Sequence, residues 1–584
     1  MIPVRAYWRL LRTYLRPLRA RVAVLWTLLL AGIAFQVVNP QLIKGFIDRA
    51  TEGGDLSELM ALAAGFVLLA VGHQVLTVTA TYFAEQVGWT ATNEMRADLA
   101  THLLDLDMSF HKTTTPGELI ERVDGDVTTL SNFFSKFVIH VAGNLILVAG
   151  ILVLLWREHV WVGLGLTAFA VIALAAMVRL QALAIPWWKA VRAKRAEFFG
   201  FVGEQLGGTE DIRANGAVPY MMHRFTLIHR GWLPLEIRGR MGFAMLWATS
   251  ISVYVFGIAI VFWLGSSLLD DTAITIGSVY VIFHYTDMLR HPIEQIRQQM
   301  EDLQKAGAGI ARVEELFAVR SRLDESGTTR LPPGALGVEL DGVEFGYEDD
   351  QSQGEIVLDH LDLTLDRGRL LGVLGRTGSG KSTLARLLTR LYDPVQGEIR
   401  LGGTPLRAVE RADLRRRVGM VTQEVQLFRA SVRDNLTFFD TDISEARIDE
   451  VVDDLGIGDW IESLPKGLDT MLQSGSGGLS AGQAQLLAFA RIFLRDPGLV
   501  ILDEASSRLD PATETLIEHA VDRLLDGRTG IIIAHRLATV ERADDILVLE
   551  AGRIAEHGPR EQLATDPKSR LSNLLRTGTE ELLA

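Results

Sequence analysis

Long uncharged stretches dominate the first half of the chain. Five of them span residues 22–43, 59–84, 137–156, 160–178 and 241–269, and a weaker one spans 272–286. As a helix the first would be roughly 33 Å long, enough to cross the hydrocarbon core of a bilayer. Buried helices of a large soluble core are the alternative, but such helices rarely stay free of charge over these lengths. The pattern predicts six membrane spans.

The second half of the chain has a different period. From residue 338 onward short apolar runs such as "LLGVLG", "LVILDE" and "TGIIIAH" alternate with helical patterns, which predicts an α/β domain with a largely parallel sheet. We expect an amphipathic segment at 1–21, a membrane domain of six spans with long helical extensions at 22–317, a linker at 318–337 and the α/β domain at 338–584.

Charge gives the expected orientation. The first 21 residues carry six Arg and no acid, which predicts a cytoplasmic N-terminus, and an amphipathic helix on the membrane surface is a fair interpretation of them. Across six spans the long polar connections, 85–136 and 179–240, then lie inside. We expect the membrane helices to continue through them into the cytoplasm.

Composition narrows the choice of function. Hydrophobic residues make up 48% of the 584 residues, and the formal net charge of −14 argues against binding to nucleic acid. The chain has no cysteine, so disulfides, thiolate metal sites and cysteine nucleophiles are excluded.

The strongest motif is "GRTGSGKS" at 375–382, which matches the phosphate-binding loop G-x-x-x-x-G-K-[ST]. An apolar strand precedes it and an amphipathic helix follows it, as such a loop requires. Its backbone N–H groups and the helix N-terminus would hold phosphates, Lys381 would neutralise the β and γ oxygens, and Ser382 would ligate Mg²⁺. The residues predicted to bind ATP here are Gly375, Arg376, Thr377, Gly378, Ser379, Gly380, Lys381, Ser382 and Thr383.

A second segment, "LVILDE" at 499–504, predicts the catalytic side of the same site. Its apolar strand delivers Asp503 and Glu504 to the carboxyl end of a sheet, where ligands bind in such folds. We expect Asp503 to hold Mg²⁺ and Glu504 to polarise the attacking water.

With these two motifs the chain resembles, over nearly its whole length, an ATP-binding cassette (ABC) half-transporter of the exporter type. The resemblance implies further roles: Tyr347 stacks on adenine, Gln423 senses Mg²⁺ and the γ-phosphate, Asp510 lies in a loop between paired subunits, and His535 contacts the γ-phosphate. It also implies that "LSAGQ", formed by Leu479, Ser480, Ala481, Gly482 and Gln483, closes on the nucleotide bound to a second subunit. A chain with one copy of each motif must therefore dimerise.

Two departures from the family pattern bear on the partner. Ala481 replaces the usual Gly of the signature, and Ser474 stands where the family commonly has a glutamate. Intact Glu504 and His535 beside an altered signature favour one member of an asymmetric heterodimer. Tolerated drift in a homodimer is the alternative.

The membrane half offers weaker signals. Polar residues within the spans are candidates for lining a pathway, although most could instead be satisfied between helices: Gln36, Asn39, Gln41, His140, Asn144, His284, Asp287 and Arg290. Trp247, Tyr254, Phe256 and Trp263 suggest either an aromatic cavity or ordinary packing. Residues 110–127 and 207–225 resemble loops that dock on nucleotide-binding domains.

The resemblance implies an ATP-driven exporter of an amphiphile (a lipid, a drug or a peptide) in a bacterial inner membrane, with both termini and the nucleotide-binding domain in the cytoplasm. Its expected cofactors are ATP and Mg²⁺, and its expected partners are a second half-transporter and membrane lipid. An importer with the same fold, a soluble ATPase acting on DNA or ribosomes, and a nucleotide-gated channel or sensor are the alternatives.

Overall fold

The structure is a computed structural model that describes residues 9, 12–270, 274–324, 326–347, 355–473, 478–503, 511–534 and 537–577. The chain divides into two compact units. The membrane unit comprises residues 1–104 and 117–319, and the nucleotide unit comprises 105–116 and 320–584. A short piece of the first half of the chain thus folds with the second.

The regular elements among the described residues of the membrane unit are all helices. Its helices are α1 Arg19–Thr51, α2 Leu56–Asp105, α4 Pro116–Ile120, α5 Val127–Lys136, α6 Asn144–Glu158, α7 Val160–Gly207, α8 Thr209–Ala214, α9 Val218–Asp270 and α10 Ile276–Ala318. Two π-helical segments, Glu121–Asp126 and Phe137–Gly143, flank α5. Prolines lie inside four of the long helices: Pro40, Pro186, Pro234 and Pro292.

Three helices extend beyond the uncharged stretches. α2 covers residues 85–105 of the connection 85–136, and α7 and α9 together cover most of the connection 179–240. Among the described residues, four helices are long and apolar enough to cross a membrane, Arg19–Thr51, Leu56–Asp105, His140–Glu158 and Val218–Leu269, and Val160–Ala176 is a shorter apolar helix. The sixth predicted span falls in α10, and most of the predicted surface segment 1–21 lies outside the described residues.

The nucleotide unit contains two sheets. Its helices and strands are α3 Met108–Thr113, β1 Val338–Gly346, β2 Ile356–Leu365, β3 Leu370–Gly375, α11 Lys381–Leu388, β4 Gln396–Leu401, β5 Thr404–Pro405, α12 Arg411–Arg417, β6 Val418–Val421, α13 Val432–Thr437, α14 Glu445–Asp454, α15 Gly458–Ser463, α16 Ala481–Arg495, β7 Leu499–Asp503, α17 Pro511–Leu525, β8 Thr529–Ile533, β9 Asp545–Glu550, β10 Arg553–Pro559, α18 Arg560–Thr565 and α19 Arg570–Thr577.

The larger sheet carries the predicted parallel core. Its order is β10-β9-β3-β8-β7-β6, with parallel pairing from β9 to β6 and an antiparallel edge strand β10. The smaller sheet, β2-β1-β4-β5, is antiparallel. β7 and β8 are buried at every position, which is the burial expected of central parallel strands. The helical membrane half followed by an α/β half agrees with the predicted fold class.

Candidate functional site

Four predicted site segments follow strands that end at the same edge of the larger sheet. In this sheet Val373 of β3 and Asp503 of β7 both pair with Ile533 of β8, and Val421 of β6 pairs with Leu502. Because these strands are parallel, their carboxyl ends point the same way. The residues that follow β3, β6, β7 and β8 therefore begin side by side.

The loop after β3 has the backbone that a phosphate-binding loop needs. Gly375, Gly378 and Gly380 all have φ in the left-handed range, at 154°, 82° and 102°. A Cβ on Gly375 would lie 2.3 Å from the carbonyl oxygen of Leu549, whereas a Cβ on Gly378 would meet no atom within 4 Å. Only glycine fits the first position, and the second borders open space where a ligand can approach.

Polar groups of this loop are arranged for an anion. Lys381 is 5% exposed, and its ammonium donates to the carbonyl oxygens of Gly375, at 2.6 Å, and Arg376, at 3.1 Å. Ser379 is 4% exposed, and its hydroxyl has no hydrogen-bond partner among the described residues. A buried hydroxyl without a hydrogen-bond partner destabilises the fold unless a ligand forms a hydrogen bond with it. The N-terminus of α11 adds the positive end of a helix dipole at the same loop.

Oxygen donors suited to Mg²⁺ stand near the same edge. Asp503, the last residue of β7, is buried, and the partly buried Ser382 lies in the first turn of α11. Gln423 is exposed, two residues beyond β6. A carboxylate, a hydroxyl and an amide oxygen form the hard donor set that Mg²⁺ prefers, so these residues fit the ion.

Tyr347, predicted to stack on adenine, lies one residue beyond β1 and is half-buried against the core. Its hydroxyl is 3.1 Å from the hydroxyl of Thr383 and accepts a hydrogen bond from Arg386 at 2.9 Å. The ammonium of Lys112 lies 4.0 Å from the centre of its ring. One face of this aromatic ring thus already attracts a cation.

The signature segment opens α16. Ser480 is the N-cap of that helix and forms a capping box with Gln483: the N–H of Gln483 donates to the Ser480 hydroxyl at 3.2 Å, and the N–H of Ser480 donates to Gln483 Oε1 at 3.0 Å. Ser480 and Ala481 are exposed, Leu479 and Gln483 are partly buried, and Gly482 is buried. The helix start and its dipole therefore face away from the core.

Comparisons with known proteins bear on the identity. The family described as "ABC transporter transmembrane region" matches residues 22–293, and the family described as "ABC transporter" matches 358–507. An ATP-dependent lipid A-core flippase of Idiomarina loihiensis is 30% identical over 570 residues, which cover 94% of this chain and 94% of that protein. The chain belongs to the ABC transporter family.

Further matches agree with this assignment. An uncharacterized ABC transporter ATP-binding protein of Bacillus subtilis, YfiC, is 29% identical over 562 residues, covering 94% of this ABC transporter and 91% of that protein. A solved structure, of a bacterial Atm1-family ABC exporter with ATP bound, is 25% identical with a TM-score of 0.76, and 97% of each chain is covered. The chain is an ATP-driven exporter of the half-transporter type, and the predicted family and enzyme class are confirmed.

Several predicted residues of this ABC transporter lie outside the described residues. They are Ser474, Glu504, Asp510 and His535. For two of these residues the preceding strand is described. Glu504 directly follows β7, and His535 is the second residue after β8. Their roles remain predictions.

In the membrane unit, some of the polar candidates line cavities and others hold helices together. Gln36, Asn144 and Asp287 line one cavity, and Asp287 and Arg290 line a second together with Trp247. Gln41 instead donates to Glu158 and to Tyr285, and His284 stacks on Tyr280. Tyr254 lies beneath the Arg290 guanidinium, at 5.1 Å, and Phe256 and Trp263 are exposed.

Sequence reasoning missed a polar cluster at the end of the membrane helices where α6 stops. The Glu158 carboxylate accepts hydrogen bonds from Lys44 at 2.6 Å, Ser278 at 3.1 Å and Gln41 at 3.3 Å, which joins α1, α6 and α10. The available signal was a lysine and a glutamate just beyond two uncharged stretches. Nothing in the order of residues showed that they meet.

Proposed function

We propose that this chain is one half of a dimeric exporter that uses ATP to move an amphiphile across a bacterial inner membrane by alternating access. The observation that carries the proposal is the pairing, in one chain, of apolar helices with a phosphate-binding loop whose lysine, glycines and orphaned serine hydroxyl fit a nucleotide. The resemblance of the chain to ATP-dependent lipid A-core flippases supports an amphiphilic cargo.

In the proposed site, residues 375–383 hold the phosphates of ATP and Tyr347 contacts the adenine. Ser382, Gln423 and Asp503 hold Mg²⁺, which would supply charge neutralisation and polarise the phosphate oxygens. Glu504 takes a proton from the attacking water, and His535 holds the γ-phosphate in place. The parallel pairing of β7 with β8 supports these two assignments. Glu504 follows β7 and His535 follows β8, and both strands are buried and end at the same edge of the sheet.

The exposed start of α16 is proposed to bind the nucleotide of a second subunit. Ser480 and Ala481 offer a helix N-terminus to solvent, which suits the phosphate of an approaching partner. The altered residues Ala481 and Ser474 favour a heterodimer. We place both termini and the nucleotide unit in the cytoplasm, in accordance with the Arg-rich first segment.

The test is Glu504→Gln in the full-length transporter in proteoliposomes. We expect ATP binding to persist while ATP hydrolysis and transport at that site fall by about 10²- to 10⁴-fold, because the water loses its base. Exposed Glu518→Gln on α17 is the control and should leave turnover unchanged. Wild-type turnover in the Glu504→Gln protein would contradict the assignment.

The partner is tested separately, by expressing the chain alone and with a candidate second half-transporter. For a heterodimer we expect ATPase activity and a dimeric mass only in the co-expressed sample. A dimer of the chain alone with full activity would establish the homodimer instead.

A further inference from the structure

A cavity of about 370 Å³ lies within the membrane unit between α1, α2, α6 and α10. Much of its lining is aliphatic: Leu28, Leu29, Ile33, Leu76 and Leu147. Its polar lining residues come from four different helices and include Gln36 from α1, His73 from α2, Asn144 from α6 and Asp287 from α10. The cavity therefore combines an apolar wall with a small number of polar groups, as binding sites for small molecules do.

These polar residues lie at similar depths. At 1.5 Å per residue, Gln36 lies about 22 Å along α1 from Thr51, and His73 lies about 25 Å along α2 from Leu56. Asn144 lies about 21 Å along α6 from Glu158, and Asp287 lies about 16 Å along α10 from Ile276. In a hydrocarbon core about 30 Å thick, all four sit well inside the bilayer. Polar groups at that depth are costly in lipid, and in membrane proteins they almost always face a cavity or the interior of the helix bundle.

Two prolines free backbone acceptors at this cavity. Pro40 has no N–H to give to the carbonyl of Gln36, and Pro292 has none to give to the carbonyl of Met288. Gln36 and Met288 both line the cavity. Two helices thus each lose one internal hydrogen bond at the same place, and each leaves a carbonyl oxygen without its usual helical donor.

The side chains add further acceptors. His73 Nδ1 lies 3.0 Å from the carbonyl oxygen of Gly32, which can only accept, so Nδ1 carries the proton and Nε2 is an acceptor in the neutral ring. The amide nitrogen of Asn144 donates to the carbonyl oxygen of His140 at 2.7 Å, which leaves the Asn144 Oδ1 to accept. The hydroxyls of Thr77 and Thr81 donate to carbonyls within α2, so their lone pairs remain.

Asp287 supplies the charge. Apart from the histidines His73 and His291, it is the lone ionisable side chain among the described lining residues of this cavity. Asp287 also lines the neighbouring cavity together with Arg290, whose guanidinium lies over the ring of Tyr254. The Tyr254 side chain is hydrogen-bonded to the Asp287 carboxylate, which leaves further lone pairs of that carboxylate to accept. The aliphatic cavity therefore presents one carboxylate together with carbonyl, imidazole and amide acceptors.

We propose that this cavity is a substrate site for amphiphiles that carry a protonated amine, with the N–H donors of the ammonium bound by Asp287 and the surrounding acceptors, and the aliphatic part bound by the leucines. The proposal rests on the exporter function proposed above. An ammonium with three donors satisfies acceptors that an alcohol or a quaternary ammonium cannot, and charge-assisted hydrogen bonds are the stronger kind.

The π-helical segment Phe137–Gly143 ends beside this site. Gly143 lines the cavity and Asn144 begins the α-helix that follows. Single π-helical turns are uncommon and occur often at functional sites, because they rotate the following residues relative to the preceding ones. Here the change in winding sets the direction of the α6 face that carries Asn144.

The test compares three eight-carbon probes, octylamine, octyltrimethylammonium and octan-1-ol, by isothermal titration calorimetry at pH 7. The sample is the full-length transporter without nucleotide in phosphatidylcholine nanodiscs. Octylamine is protonated at this pH, as a lysine side chain is. We expect it to bind at least about tenfold more tightly than the other two, and Asp287→Asn to remove that tenfold preference while leaving octan-1-ol affinity unchanged.

Two variants keep the result interpretable. Glu315→Gln, an exposed acid on the same helix α10, is the matched control and should change nothing. Asn144→Asp adds a second carboxylate and should tighten octylamine more than octyltrimethylammonium, because only the amine can donate hydrogen bonds to it, so a folding defect of Asp287→Asn cannot hide the effect. Three results would each overturn the proposal. They are equal affinity of the three probes, an equal loss of affinity for all three probes in Asp287→Asn, and displacement of octylamine by Na⁺ added as NaCl.

ATP hydrolysis is measured in parallel to keep the two proposals apart. Normal Glu504-dependent hydrolysis without selective amine binding would overturn the amine site and leave the exporter standing. Selective amine binding in a wild-type protein without ATP hydrolysis would contradict the proposed exporter function and leave the amine site supported by calorimetry.

Discussion

The nucleotide unit and the membrane unit build their sites in opposite ways. In the nucleotide unit, short continuous motifs follow neighbouring parallel strands and meet at one edge of one sheet. In the membrane unit, the cavity polar groups are single residues from four helices, and the first and last of them are about 250 positions apart in the sequence. The first kind of site depends on the backbone of a loop and the second on the packing of helices, so only the first leaves a motif.

The largest expected effect is that of Lys381→Ala in the nucleotide unit. The substitution removes the buried ammonium that lies between the carbonyls of Gly375 and Arg376, where the phosphates would be held. We expect the rate of ATP hydrolysis to fall by roughly 10²- to 10³-fold, because one preorganised charge at a reacting phosphate is worth that much. Steady-state ATPase assays in nanodiscs measure it.

Exposed Lys466→Ala, in the same unit, is the matched control for this substitution and should keep wild-type turnover. If Lys381→Ala retained hydrolysis within about threefold of wild type, the local loop would not carry the phosphate chemistry, and the contrast between the two units would fail.

The same contrast explains what the sequence could predict. The glycines of the phosphate-binding loop are readable because Gly375 occupies a position that only glycine can take, and the uncharged spans are readable because lipid excludes charge. The partners of Gln41, Lys44 and Glu158 are not readable, since helix packing brings together residues whose spacing carries no information. The freed carbonyls of Gln36 and Met288 follow from prolines in plain view, but their meeting at one cavity required the fold.

A second prediction tests the membrane unit, through the Lys44–Glu158 pair. Among the described residues, Lys44→Met leaves the Glu158 carboxylate, whose side chain is 9% exposed, with Gln41 and Ser278 as its hydrogen-bond donors. We expect a loss of about 1–3 kcal/mol in the free energy of unfolding, the cost of a buried charge without its partner. Thermal and denaturant unfolding in detergent measure it.

The double variant Lys44→Met/Glu158→Gln completes a cycle for this pair and should recover part of the loss, because the uncompensated carboxylate is gone. Arg49→Met is the matched control: its pair with Glu58 has side chains that are 50% and 52% exposed, so the cost should stay within about 1 kcal/mol. Additive losses in the cycle would show that the pair contributes no coupling.

The smallest expected effect concerns Asp107, in the piece of the first half that folds with the nucleotide unit. Burial alone would raise the pKa of this carboxyl, but the N–H groups of Arg322, Ser109 and Phe110 and the Ser109 hydroxyl outweigh that effect and lower the pKa. Because the folded-state pKa lies below the unfolded value, the carboxylate stabilises the fold above pH about 4, and this contribution is lost as pH falls through the folded pKa.

Asp107→Asn should therefore cost roughly 1–2 kcal/mol in the free energy of unfolding at pH 7, and the difference from wild type should shrink in acid. Exposed Asp105→Asn, two residues earlier, should show neither effect. A constant difference at all pH values would mean that Asp107 acts by shape and not by charge, and that the junction of residues 105–116 with residues 320–324 is held by packing, as the helices of the membrane unit are.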